Sequence, residues 1–182
     1  MSVRTKLEQA WHDGGRVPPL LLALGAVLAQ SLLSRKKGGA LSRLAGLALG
    51  LGSTALLATA AAGFARRGTT LDPVTPGATT LVTDGPNALT RNPMYTGIVG
   101  ILLARAVARR SVLALVPAVV VAWLLDSRQI PAEEAVLAER FGSDWETYRD
   151  STPRWVDARS VQRLRQMAEL EELPWFTRRG AS

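Results

Sequence analysis

The chain contains no cysteine. Disulfides, thiolate-bound metals and cysteine nucleophiles are therefore excluded. Its single histidine, His12, lies beside Asp13 in the N-terminal tail, where a solvated role is expected. No Ser/His/Asp arrangement can form near the rest of the chemistry, and no metal-ligand cluster is legible. Acidic residues are scarce over most of the length. Residues 1–126 carry 13 Lys/Arg against 5 Asp/Glu, whereas residues 127–182 carry 9 against 10. A net charge of +7 distributed this way suits anionic headgroups at the loops of a membrane protein. Nucleic-acid binding would need a basic patch interleaved with exposed aromatics, or a recognised fold. Neither is present, and aromatics are only 5% of the residues.

Long uncharged runs are present instead, at residues 17–33, 44–64, 94–104 and 112–125. A spanning helix needs ~20 largely apolar residues, which the second run supplies alone. The others reach that length if Tyr95, Thr96, Arg105 and Asp126 sit in the headgroup region, where long cations snorkel. The expected fold is all-α, an integral-membrane bundle of four transmembrane helices followed by cytosolic amphipathic helices. Arg4, Lys6 and Arg16 precede the first run as in a secretory signal. Arg35-Lys36-Lys37 and a second apolar helix follow it, so a retained signal-anchor is expected rather than a cleaved peptide.

The chain reads as one domain, 1–182, with an N-terminal hairpin (17–64), a loop plus second hairpin plus Glu-pair helix (65–156), and an amphipathic tail (157–182). Leu20–Leu33 and Leu41–Phe64 should pair across the turn Ser34–Ala40. Gly46, Gly50 and Gly52 with Ala45, Ala48 and Ala55 give the second helix a small-residue face for close packing in lipid. Asn92-Pro93 reads as an N-cap and first helical position, predicting a third helix to about Ala108. A turn at Arg109-Arg110-Ser111 then leads to a fourth helix from Val112, leaving the apolar layer at Asp126-Ser127-Arg128. Beyond it, Glu133–Phe141 continues helically, Gly142 offers a C-cap, and Ser143 with Glu146 forms a capping box. Leu137, Phe141, Trp145 and Tyr148 make one apolar stripe, predicted to lie on the membrane surface or on the 65–93 loop. Residues 158–172 form a further amphipathic helix, and Pro174-Trp175-Phe176 suits an interfacial anchor.

Residues 79–97, TTLVTDGPNALTRNPMYTG, interrupt the apolar blocks with a polar, Pro- and Gly-punctuated segment. Pro73, Pro76, Gly77, Gly85 and Pro86 rule out a continuous helix through the long 65–93 connection, with TTLV (79–82) as a short extended or interfacial piece. Loops of this length are usually functional or disordered. The Asn92–Tyr95 helix start has two readings, as a plain cap or as a positive dipole end for a carboxylate or phosphate. Glu133-Glu134 likewise reads as a solvated helix face or as part of a site. The third and fourth helices are antiparallel, which makes Asn92–Tyr95 and Arg128–Glu134 neighbours on one membrane face. A positive helix end beside two carboxylates suits a zwitterionic amino-acid ligand.

In motif order, TTLVTDGP, RNPMYTG, an apolar hairpin, EExxL, FGxxWxxY and TPRW, the chain resembles the isoprenylcysteine carboxyl methyltransferase family. That family belongs with the small integral-membrane methyltransferases that include phosphatidylethanolamine N-methyltransferase. The resemblance covers about residues 76–156. It implies S-adenosylmethionine as cofactor, with Thr80, Leu81, Val82, Asn92, Pro93, Met94 and Tyr95 lining its pocket and Glu133, with Glu134, binding its polar part. It implies a substrate arginine just before the Glu pair, at Arg128 or in the register of Gln129. It also implies a lipophilic acceptor, a prenylcysteine-like carboxylate or alternatively a lipid amine. Two positions depart from the family: Asn92 stands where His is common, and Asn87 where an aromatic is common. The rival reading from another class is a non-catalytic membrane scaffold or carrier. Positive-inside counting gives eight basic residues on the loop face against seven opposite, which decides little. The cytosolic origin of the cofactor places the site in the cytosol, on a multi-pass protein of the cell membrane.

Overall fold

The computed structural model describes residues 18–34, 37–66 and 80–171. His12, Thr79 and Pro174-Trp175-Phe176 lie outside them. Among the described residues the regular structure is helical throughout. The helices are α1 (Pro19–Leu33), α2 (Ala40–Arg66), α3 (Pro93–Arg109), α4 (Leu115–Leu124), α5 (Ile130–Ser151) and α6 (Ala158–Glu171). A short 3₁₀ turn, Gly85–Ala88, precedes α3.

Two helical segments are long and apolar enough to cross a membrane, α2 and Leu115–Ser151, which joins α4 to α5. The outer surface is apolar on α1 and α4 as well. Leu20, Leu24, Leu28 and Leu32 are exposed on α1, and Val116, Val119 and Trp123 on α4. The interior mixes large and small apolar side chains: Ala26, Ile98, Leu102, Ala118, Val121, Leu125 and Ile130 form its core.

α2 and α3 pack most extensively, and glycines set their separation. A Cβ on Gly97 would lie 2.8 Å from the Ser53 carbonyl oxygen, and one on Gly46 2.7 Å from that of Ala104. Gly100 rests directly on the Ser53 side chain. The Gly97–Gly100 pair is thus a packing surface. The small-residue face of α2 is narrower than its composition suggested: Gly50 makes ordinary contact with Ala104, and Gly52 has nothing within 4 Å.

The fourth helix begins later than Val112. Arg110 takes a left-handed conformation (φ 49°), and its N–H bonds Ala106 and Val107 carbonyls. Ala114, Leu115 and Val116 then bond three residues back, forming a tight first turn. At the expected exit, Leu125–Gln129 forms a wide π turn in which the Ile130 N–H bonds the Leu125 carbonyl, five residues back. Pro131 has no N–H to give the Ser127 carbonyl, which removes one bond of the ordinary register. The extra residue rotates everything downstream by about 100°, one residue's share of a helical turn. Gly142 (φ 49°, ψ −121°) breaks α5 internally, where a C-cap was expected.

Replacing Gly97 with Ala forces a Cβ against backbone. It is expected to cost about 1–3 kcal/mol, as overpacking does, whereas Gly52→Ala should be neutral or stabilising. Denaturant unfolding of the two variants in detergent checks the difference.

Candidate functional site

The start of α3 and the start of α5 meet at one end of the bundle. The Tyr95 hydroxyl donates to Glu133 Oε1 at 2.5 Å, and Gln129 Nε2 donates to the same oxygen at 2.7 Å. Gln129 belongs to the π turn, so the widened register brings an amide side chain onto the carboxylate one turn later. Glu133 is 9% exposed. Tyr95 and Gln129 are neutral donors that orient the carboxylate.

Glu134 has a different environment. Its Oε1 accepts from Arg91 Nη2 at 2.9 Å and from Arg154 Nε at 3.2 Å, and its Oε2 accepts from Arg154 Nη2 at 2.5 Å. Hydrogen bonding to Glu134, against the opposing pull of burial, holds the Arg154 guanidinium above its ordinary pKa. Arg154 also reaches Asp126 Oδ1 at 3.2 Å, and Trp155 Nε1 donates to that oxygen at 2.8 Å. Arg91 continues outward: Nη1 donates to the carbonyls of Arg149 and Thr152, and the guanidinium lies 5.7 Å from the Trp145 ring centroid. Residues 152–155 are thereby drawn back over the junction between α4 and α5.

The loop before α3 is fixed by the same segment. The Thr90 hydroxyl donates to the Arg154 carbonyl at 2.7 Å, and the Arg91 N–H to that of Pro153 at 2.8 Å. Asn92 sits at the cap position, but its side chain does not cap α3. Its Nδ2 donates to the Arg154 carbonyl at 3.2 Å, while the Thr90 hydroxyl accepts from the Asn92 N–H. A side chain expected to cap thus ties two segments together, sharing the Arg154 carbonyl with the Thr90 hydroxyl. The buried Asn87 carbonyl accepts from the Tyr148 hydroxyl at 2.8 Å. Of the two surfaces predicted for the Trp145–Tyr148 stripe, the loop is therefore the one used. α6 closes this face, with Ser160 donating to the Leu89 carbonyl at 2.6 Å and Arg163 to that of Ala88 at 2.7 Å.

Tyr95 and Glu133 are thus in direct contact, and Pro93 is buried at the foot of α3 with Met94 half-buried beside it. Thr80 is exposed, Leu81 half-buried and Val82 buried on the approach to the 3₁₀ turn. Arg128 is exposed on the π turn and, among the described residues, has neither ion pair nor hydrogen bond. Sequence reasoning assigned no role to Arg91, Asp126, Arg154 or Trp155. The TPRW and RNP motifs contained three of them, but motif order carries no information about which oxygen a guanidinium will meet.

An Arg91→Ala substitution leaves part of the Glu134 charge buried without its partner and is expected to cost about 3–5 kcal/mol. Arg149→Ala removes only an exposed pair with Asp150 and should change stability by less than about 1 kcal/mol. Chemical unfolding of both variants tests the contrast.

Residues 41–144, more than half of the chain, match the family model described as Phospholipid methyltransferase. No curated protein and no solved structure matches.

Proposed function

Since the chain belongs to the phospholipid methyltransferase family, a family of membrane methyltransferases, we propose that it transfers a methyl group from S-adenosylmethionine to a lipophilic acceptor drawn from the bilayer. The observation that carries this reading is the Tyr95–Glu133 contact, which lies inside the family-matched region. It sets an oriented, nearly buried carboxylate beside a helix start that the Asn92 side chain does not cap. These are the two complements an amino-acid group needs, an anion for its ammonium and a positive dipole end for its carboxylate. The donor set therefore fits the methionyl part of the cofactor. Glu133 and the Pro93–Tyr95 helix start would hold that part, with Asn92 bracing the start and Thr80, Leu81 and Val82 lining the adenosine side. Glu134, whose two oxygens are taken by Arg91 and Arg154, serves here as the brace that fixes Glu133.

When bound, S-adenosylmethionine supplies a methyl on a sulfonium, already electrophilic without metal or base. The protein's task is alignment of donor and acceptor and exclusion of water, which suits a site without histidine or cysteine. Arg128, exposed and unengaged among the described residues, is suited to orient an acceptor carboxylate by a bidentate pair. A carboxylate attacks without prior deprotonation, and a prenylcysteine-like acid is the acceptor we favour. A lipid amine is the second reading, favoured by the description of the matched family. Its neutral form would attack, and its proton would leave to water. Four membrane-spanning helices, with the site end in the cytosol of a multi-pass protein, complete the proposal. The apolar outer faces of α1 and α4 support it.

Glu133→Ala is expected to weaken cofactor binding by about 1–3 kcal/mol, the range for a charge-assisted hydrogen bond left unmade. Calorimetric titration of detergent-purified protein measures this, and no binding by the parent chain up to millimolar cofactor would return the protein to the scaffold class. Methyl transfer from labelled cofactor should mark a prenylcysteine analogue as a base-labile ester, with Arg128→Ala slowing it at least tenfold. Base-stable label in a lipid extract would identify the amine instead. Cysteines placed at Ser2 and Ser182 should both label from the cytosolic side, and labelling of both from outside would overturn the topology.

A further inference from the structure

The opposite end of the bundle holds a second polar cluster that methyl transfer does not use. Gln30 on α1 is completely buried. Its Nε2 donates to the carbonyls of Leu102 and Ala114 at 2.8 Å each, and its Oε1 accepts from Arg105 Nε at 3.1 Å. Arg105 Nη2 also donates to Ser31 Oγ at 3.2 Å, and Arg109 Nη1 to the Gln30 carbonyl at 3.4 Å. The Ser34 N–H bonds that same carbonyl at 3.1 Å, which places Ser34 beside Arg109. Ser34 is 4% exposed, and its hydroxyl has no hydrogen-bond partner among the described residues.

No Asp or Glu occurs between residues 14 and 71 or between 85 and 125. The chain therefore offers this end no local carboxylate, and none of the salt bridges among the described residues involves Arg105 or Arg109. Two guanidiniums one helical turn apart repel each other, yet a buried glutamine fixes one of them and a main-chain oxygen holds the other. Each keeps spare donors from its five N–H groups, and the unpartnered Ser34 hydroxyl belongs to a residue that shares the Gln30 carbonyl with Arg109. Fixed forks of this kind match the oxygens of a phosphate. The flanking surface is apolar, with Leu28, Leu32, Val112 and Leu113 all exposed. Along α3, Arg105 and Arg109 lie about 15 and 21 Å beyond Tyr95, toward the opposite end of the bundle.

We propose that Arg105, Arg109 and Ser34 form a headgroup site for the phosphate of an anionic membrane lipid in the leaflet opposite the methyl-transfer site. The lipid's tails lie against Leu28 and Leu32. The proposal rests on the four-helix membrane reading and is independent of methyl transfer.

The test is thermal unfolding of the detergent-purified protein titrated with short-chain phosphatidylglycerol, phosphatidylcholine of the same chain length, or inorganic phosphate. Phosphatidylglycerol should raise the midpoint of the parent chain, and the concentration for half effect should rise at least tenfold in R109Q and about threefold in S34A. Both variants remove little from the protein itself, one long hydrogen bond and one unpartnered hydroxyl. Equal responses of parent and variants, or an equal response to phosphatidylcholine, would overturn the site. Equal stabilisation by inorganic phosphate would assign the cluster to a free anion and overturn the lipid. R109Q should retain methyl transfer, so failure here is distinguishable from failure of the enzyme reading. A failed topology would appear separately, as labelling of cysteines at Ser2 and Ser111 from the same side.

Discussion

Glu134 accepts from Arg91 on one side and Arg154 on the other, so a single carboxylate joins three segments distant in sequence: the entry to α3, the first turn of α5, and the link before α6. Its side chain is 16% exposed and that of Arg91 10%. In such surroundings the value of the arrangement lies in mutual satisfaction, since any member left alone would carry the cost of an uncompensated buried charge. Each guanidinium also bonds further groups, Arg91 to two main-chain carbonyls and Arg154 to Asp126. The geometry of Glu133 follows from this. Its neighbour is pinned, Tyr95 sits four residues beyond Arg91, and both elements bearing the Tyr95–Glu133 pair are anchored to the same clamp.

Around this clamp the bundle follows the logic of a lipid solvent. Many leucines and valines face outward, and glycines and alanines line the contact between α2 and α3. Helix association without a hydrophobic drive depends on close backbone approach and on interior hydrogen bonds. The α2–α3 contact uses the first, through Gly46, Gly97 and Gly100 against Ala104 and Ser53. The α1 contact uses the second, through Gln30, whose amide reaches carbonyls on both α3 and the turn before α4. Polar groups are thereby sorted to the two ends of the bundle, acids and bases together at one, bases alone at the other.

Much of the architecture was legible because its signals are local. Uncharged runs located the helices to within a few residues, since length and absence of charge are the requirements of a span. Gly142 and Asn92-Pro93 marked a break and a start, because backbone freedom at glycine and restriction at proline act on the residue itself. Connectivity alone brings Tyr95 near Glu133, because the short turn between the third and fourth helices makes them antiparallel. The π turn was not legible. It needed both the missing N–H of Pro131 and the packing that makes a wide turn better than a kink. Asn92 shows the same limit: its type suits a cap, but Arg154 brought a carbonyl that the amide satisfies instead.

By itself the sequence determined the helical segments, the segregation of acidic residues to one end, the exclusion of cysteine and histidine chemistry, and a motif order that the family match supports. Tertiary structure alone decided which of two adjacent glutamates is bound by arginines and which by a phenol and an amide. Adjacent residues on a helix point about 100° apart, so their partners come from different parts of the chain. Only the path of residues 149–155 back across the helix ends could say what those partners are.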